Sequence, residues 1–303
     1  MSLAFARMHG CGNDFVVLDD RAGRLHALRS ELARSLCNRR TGLGGDGLIL
    51  IGPPVAKGTD VTMTYVNADG AEGEMCGNGA RCVAWRAVDL GLAGRRLDLA
   101  TLAGPIAATV SGRDVRLTMT DPRDLKAAVP LAVLGDWIEV HSVDTGVPHA
   151  VIFVADAAAL ATTEVVRLGR EVRHHAHFSP RGANANFVAV IGPSRLAIRT
   201  FERGVEDETL ACGTGAVAAA VIAHHTGRVG RPVTVEPRGG GLLEIDFETT
   251  AEGDYRNLTL SGPTELIAVG ELSDAWLAAR GLPLSADSMP KAMTSAGQLA
   301  TAG

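Results

Sequence analysis

The sequence predicts an α/β chain built from two related halves. Short runs rich in β-branched residues alternate with a few helical segments along most of its length. The frame C-G-x-G-A occurs twice, at Cys76-Gly-Asn-Gly-Ala and Cys212-Gly-Thr-Gly-Ala, 136 residues apart and each time opening a helix. The length of 303 residues suits two domains of roughly 150 residues each.

In chain order, residues 15–18, 48–51, 61–66, 97–100 and 115–119 read as strands by length and β-branched content. Residues 30–40 and 79–90 read as helices, the second closed by Gly91 as a C-cap. Past Asp121-Pro122, strands are expected at 137–143, 150–154, 186–191 and 196–201, then a helix at 215–225 ending near Gly227. Strands at 233–236, 242–247 and 258–260 follow. Two weaker echoes support the duplication. Gly10-Cys-Gly-Asn-Asp-Phe-Val-Val resembles Thr145-Gly-Val-Pro-His-Ala-Val-Ile, with Gly12 and Gly146 134 apart, and the strand starts at Leu48 and Phe187 lie 139 apart. With the boundary within residues 121–135, the halves are taken as 1–125 and 126–270, leaving 271–303 as an extension expected to be largely disordered. The small, polar, aperiodic segment 282–303 is expected to be a disordered tail.

Composition excludes several function classes. A net charge of −5 supplies no basic field for nucleic acid or an anionic membrane, and 4% aromatics argue against base-stacking platforms. The longest apolar stretch, 210–223, is too short to span a bilayer and suits a buried helix. Residues 1–14 lack the order of a signal peptide, so the cytoplasm is the expected location. Five cysteines are too few, and odd in number, for a disulfide framework, and thiols are expected there.

Other signals fail on their chemistry. Gly42-Leu-Gly-Gly-Asp-Gly47 matches G-x-G-x-x-G, but a helix precedes it and a strand follows, the reverse of a dinucleotide site. His174-His175-Ala-His177 and His224-His225 lack i, i+4 pairing and clustered partners, so no metal is expected. No G-x-S-x-G elbow is present. Pyridoxal phosphate needs a lysine, and Lys57, Lys126 and Lys291 stand beside no motif, so no cofactor is expected.

What remains is the repeated cysteine. A thiol at a helix start feels the positive end of the dipole, which lowers its pKa, and the adjoining N–H groups bind anions such as a carboxylate. Two such sites in equivalent halves can place two thiols on opposite faces of one carbon. One thiolate then removes an α-proton while the other thiol returns one, the chemistry of racemisation. Cys11, Cys37 and Cys82 read as packing residues.

At these residues the sequence resembles the diaminopimelate epimerase family. The matching segments are Met8-His-Gly-Cys-Gly-Asn-Asp-Phe15, Asn67-Ala-Asp-Gly70, Met75-Cys-Gly-Asn-Gly-Ala-Arg-Cys82, Gly146-Val-Pro-His149, Gly182-Ala-Asn-Ala-Asn-Phe187 and Phe201-Glu-Arg-Gly-Val-Glu-Asp-Glu-Thr-Leu-Ala-Cys-Gly-Thr-Gly215. They run in family order over about residues 5–265. The resemblance implies a mainly antiparallel sheet curled around a central helix in each half, with the active site in the cleft between halves. It implies a cofactor-independent isomerase that interconverts LL- and meso-diaminopimelate for lysine and peptidoglycan precursors, with homodimerisation as a further expectation.

Carried over residue by residue, Cys76 and Cys212 are the acid/base pair. The N–H groups of Gly77 with Asn78, and of Gly213 with Thr214, hold the reacting carboxylate. Asn13, Asn67 and Asn184 hydrogen-bond substrate, Arg203 pairs with the distal carboxylate, and Glu202 meets an ammonium group. Glu202 and His149 adjust the thiols. Bottom-up, a zwitterion with two amino-acid ends needs such groups. The same residues also fit a solvated Glu202–Arg203 pair, asparagine turns and a satisfied loop histidine.

Three positions depart from family patterns: Val147 where many members have Asn, Gly47 where some have Gln, and Ala268 where some have a dimer-supporting Tyr. The rival readings are a sister racemase with another amino-acid substrate, a thiol redox protein, which lacks C-x-x-C spacing, and a non-catalytic amino-acid binding module.

Overall fold

The computed structural model describes residues 3–73 and 75–282. These form two compact units. The first holds the described residues up to His9, Asp14–Arg113 and those from Thr264 onward; the second holds Gly10–Asn13 and Asp114–Pro263. No helix among the described residues is long and apolar enough to cross a membrane.

In the first unit β1 (Leu3–Gly10) is paired with β2 (Asn13–Asp19). The intervening Cys11 and Gly12 both adopt positive φ, 54° and 87°. α1 (Arg29–Leu36) stops short of the expected residue 40 because the Asn38 side chain accepts from Arg40 and Thr41 N–H, forming a turn. β3 (Gly47–Gly52) runs parallel to β2, and β4 (Val61–Asn67) antiparallel to β3. β5 (Glu72–Gly73) pairs with β4, α2 (Gly77–Asp89) follows, and β6 (Arg96–Thr101) returns parallel to β4 before β7 (Gly104–Ser111). Strand alternation divides the apolar side chains between two faces. Val16, Leu18, Leu48, Leu50 and Val66 pack with Leu32, Ala33 and Leu36 of α1. Ile49 and Met63 meet α2 on the other face.

The second unit repeats this plan. β8 (Asp114–Thr118), β9 (Arg123–Val133), β10 (Asp136–Asp144) and β11 (Pro148–Phe153) precede two helices, α3 (Ala157–Thr162) and α4 (Val165–His174). β12 (Asn184–Gly192) is parallel to β11, β13 (Arg195–Glu202) antiparallel to β12, and β14 (Asp207–Thr209) pairs with β13. α5 (Gly213–His225) follows, then β15 (Val233–Pro237) parallel to β13, β16 (Leu243–Thr249) and β17 (Tyr255–Pro263). Strands β10–β13 and β15–β17 curl around α5, which is apolar on nearly every side and buried from Gly215 to Ala223. α2 and α5 have 13 residues each and start 136 apart, at Gly77 and Gly213. The parallel pairs β2–β3 and β4–β6 correspond to β11–β12 and β13–β15. The chain is thus a twofold repeat of mixed α/β structure, mostly sheet.

The units are not contiguous in sequence. β8 completes the second unit by pairing with β17, Thr118 opposite Thr259, while β18 (Glu265–Leu272) returns to pair with β1. A strand needs backbone partners, and here each comes from a segment far away in sequence. Contacts therefore divide the chain after Arg113 and Pro263 rather than after residues 125 and 270.

The expectation for 271–303 needs correction. Ser273 caps α6 (Asp274–Ala278), Leu277 and Leu282 are buried in the α1 core, and Arg280 donates to the Thr41 carbonyl at 2.8 Å. Residues 271–282 are therefore folded; 283–303 lie outside the described residues. The sequence reading also missed β1, β5, β7, β9, β14, β18, α3 and α4. β18 exposes its first five residues in succession and so shows no alternation, and α4 buries just Val165, Gly169 and Val172.

Candidate active site

In the first unit Cys76 is the N-cap of α2, extended at φ −134°, ψ 115°, and half-buried. The next N–H groups, from Gly77 onward, belong to a first helical turn with no intrahelical acceptor. A β-carbon on Gly79 would lie 2.9 Å from Met63 Cε and 3.0 Å from Ile49 Cδ1, so glycine lets the helix settle on that floor. Buried Arg81 donates to Asn78 Oδ1 at 2.9 Å, fixing the second residue of the helix. Asn67 ends β4, where its Oδ1 accepts from Tyr65 Oη at 2.7 Å.

Gly47 lies opposite Asn67, and a β-carbon there would come 2.5 Å from Tyr65 Cε2. The Tyr65 ring thus fills the space a side chain at position 47 would need. Beside it, Asp14 holds Arg7 at 2.6 Å and Arg39 at 2.7 Å, and Arg39 also reaches Asp46 at 2.7 Å. Burial alone raises the Asp14 pKa, but the two guanidiniums outweigh it and bring it to about 2. Burial pushes the Cys37 thiol up to about 12, the state of an inert packing cysteine. Cys11 and Cys82 are buried too.

In the second unit Cys212 caps α5 in the same way, at φ −118°, ψ 111°, and is buried. Its Sγ lies 3.5 Å from Thr214 Oγ1, and Thr145 Oγ1 donates to the Thr214 carbonyl at 3.1 Å. Asn184 begins β12 and accepts from the Arg203 N–H at 2.7 Å. Glu202 ends β13, and loss of hydration raises its carboxyl pKa, with the Thr209 hydroxyl opposing. His149 is fully buried, and loss of hydration lowers its pKa to about 3. Asn13 follows the Cys11–Gly12 turn, which packs on the 239–241 loop; a β-carbon on Gly12 would lie 3.1 Å from the Gly239 carbonyl.

The β13–β14 hairpin carries Glu202 and Arg203 and is held from its other face. Alternation sets Glu208, paired opposite Phe201, on the side away from Glu202. There Arg199 holds Glu208 through two hydrogen bonds of 2.7 and 2.8 Å, and Arg238 reaches it at 2.6 Å. The rejected histidines have ordinary partners. His174 pairs with Glu206, His175 Nδ1 accepts from His177 N–H, and His224 meets Tyr255 Oη.

Of the sequence-predicted residues, Asn67, Cys76, Gly77 and Asn78 therefore lie in the first unit. Asn13, His149, Asn184, Glu202, Arg203, Cys212, Gly213 and Thr214 lie in the second. Strand register superposes much of this set. Asn67 and Glu202 end equivalent strands, and Gly47 and Asn184 begin equivalent ones. Asn186, Thr200 and Thr145 were missed. The repeat offset held a signal for Asn186, an asparagine in a strand where the first half has Ile49.

The sequence profile of the family described as "Diaminopimelate epimerase" matches residues 5–125 and 141–259. The chain belongs to the diaminopimelate epimerase family. A diaminopimelate epimerase of Aquifex aeolicus is 39% identical over 282 residues, covering 90% of this chain and 98% of that one. One from Chlorobaculum tepidum is 42% identical over 270 residues, covering 88% and 100%. Family membership makes the chain an isomerase. Solved structures share the fold at low identity. A probable proline racemase from Agrobacterium radiobacter K84 gives a TM-score of 0.68 at 17% identity, covering 89% of this chain and 93% of that one. A phenazine biosynthesis protein from Bacillus anthracis gives 0.69 at 13%, covering 90% and 99%. The fold of this chain thus also occurs in a probable proline racemase and in a phenazine biosynthesis protein.

Proposed function

We propose that the enzyme interconverts LL- and meso-diaminopimelate through two cysteines, Cys76 and Cys212, with no cofactor. The observation that carries this reading is the duplicated N-cap thiol, one at the head of each repeat's central helix. A thiolate at one cysteine takes the α-proton and the thiol of the other delivers a proton to the opposite face. The N–H groups of Gly77, Asn78, Gly213 and Thr214 take up the negative charge that moves into the carboxylate. Arg203 binds the distal carboxylate, Glu202 an ammonium, and Asn13, Asn67 and Asn184 orient the chain between them. His149 and Glu202 adjust the thiols. Family membership supports the substrate, a step toward lysine.

The test is incubation with LL-diaminopimelate in deuterated water with a thiol reductant. The expected outcome is meso product carrying deuterium at Cα; no exchange, or turnover of proline or hydroxyproline instead, would overturn the reading. A disulfide between the two cysteines is the expected oxidised, inactive form, reversed by thiol reductant. The apolar run Leu266, Ile267 and Val269 on edge strand β18 suits a homodimer contact, and light scattering showing a monomer would remove it.

A further inference from the structure

His149 Nε2 is a buried ring nitrogen with no hydrogen-bond partner among the described residues, while the other ring nitrogen is closely held. Asn186 Nδ2 lies 3.1 Å from His149 Nδ1 and 2.9 Å from the Ala150 carbonyl. A carbonyl can only accept, so the Asn186 atom beside it is the NH2 group. Thr200 Oγ1 donates to Asn186 Oδ1 at 3.0 Å, which fixes the amide from its other end. Glycine at the start of α5 leaves the space this amide occupies. A β-carbon on Gly215, in the first turn of α5, would lie 2.4 Å from Asn186 Oδ1. An NH2 group beside Nδ1 makes that nitrogen the acceptor and leaves the ring proton on Nε2.

We infer that Asn186, braced by Thr200, is a positioning residue that locks His149 as the Nε2–H tautomer, so that His149 serves the site as a fixed hydrogen-bond donor. Alternation sets His149, Asn186 and Thr200 on the α5 face of the sheet, the side of the helix that Cys212 caps. The core residues Ala150, Ile152, Ala185 and Phe187 occupy the other face with α3 and α4. Burial also keeps the ring neutral near pH 7. A donor held neutral and in one tautomer suits an acceptor that develops charge during turnover, a thiolate or a carboxylate oxygen. His149 is then neither the acid nor the base. The inference rests on the proposed function for its kinetic consequence, but the tautomer itself does not depend on the substrate.

The experiment is 15N NMR of histidine-labelled protein, with kinetics on the same samples. Wild type is expected to show His149 as Nε2–H throughout the neutral range. Asn186→Asp places a carboxylate beside Nδ1, so the proton should move to Nδ1 and kcat should fall about 100-fold, the cost of a lost transition-state donor. Thr200→Val, which adds no charge, should let the amide turn, giving mixed tautomers and about a 10-fold loss of kcat in an enzyme that stays folded at a somewhat lower melting temperature. Nδ1–H in the wild type overturns the inference, as does a folded Thr200→Val enzyme with pure Nε2–H and wild-type kcat. A wild type inactive on diaminopimelate refutes the proposed function instead, and the NMR result still decides the tautomer.

Discussion

The two central helices begin alike but rest on different floors. Under α2, the positions equivalent to His149, Asn186 and Thr200 hold Phe15, Ile49 and Tyr65, with Phe15 and Tyr65 edge-to-face at 6.0 Å. Under α5 the same positions form the chain Thr200–Asn186–His149. An apolar floor is stable by burial alone, whereas a polar one is stable when every group is paired. The duplication thus preserves the thiol and the helix N-terminus in both units, while the polar chain Thr200–Asn186–His149 lies under α5. The outer faces differ in the same way. Glu72 and Glu208 occupy equivalent positions on β5 and β14. Glu72 makes a half-exposed pair with Arg29, and Glu208 is buried between two arginines.

The largest expected effect tests whether the two helix starts are chemically equal partners. Cys76→Ala and Cys212→Ala should each lower turnover by more than about 1,000-fold with circular dichroism unchanged. Normal turnover in either variant ends the two-thiol reading. Next, Glu208→Ala should cost about 2–3 kcal/mol in urea unfolding, because it removes the buried carboxylate that Arg199 and Arg238 share, while Glu72→Ala should stay within about 1 kcal/mol. Equal costs would show that the two hairpins are held alike. Ile49→Asn, which imports the second unit's residue into the first, should cost about 3 kcal/mol, since Phe15 offers the new amide no partner.

The remaining test is in the acid limb of stability. His149, lowered from 6.5 to about 3, is neutral in the folded chain but takes a proton once unfolded. The unfolded state therefore binds more protons, and stability falls as pH drops from 6.5 toward 3. Asp14, lowered from 3.8 to about 2, contributes fully above pH 3.8 and loses that contribution as pH falls toward 2. Urea midpoints measured against pH should show the first decline removed by His149→Phe and the second by Asp14→Asn. A single decline insensitive to His149→Phe would contradict the polar-floor account.

Much of this was legible in the residues. The C-G-x-G-A frames mark both helix starts, because a helix that must approach a ligand and a sheet closely needs small residues there. Most inner strands show in their β-branched runs, since burial on both faces demands them. Edge strands β9 and β18 do not, as exposure removes the alternation that betrays a strand. Leu277 and Leu282 looked like tail residues because nothing local marks the core they enter.

Sequence alone determined the duplication, the two thiols and the chemistry they suit, for these depend on residue type and spacing. Tertiary structure decided what lies beneath each thiol. Asn186 and Thr200 are 14 residues apart and His149 is 37 from Asn186, so strand register alone makes them one hydrogen-bonded chain. The exchange of β8 and β18 was likewise settled by long-range pairing, which has no local signature because the hydrogen bonds that fix it join segments far apart in sequence.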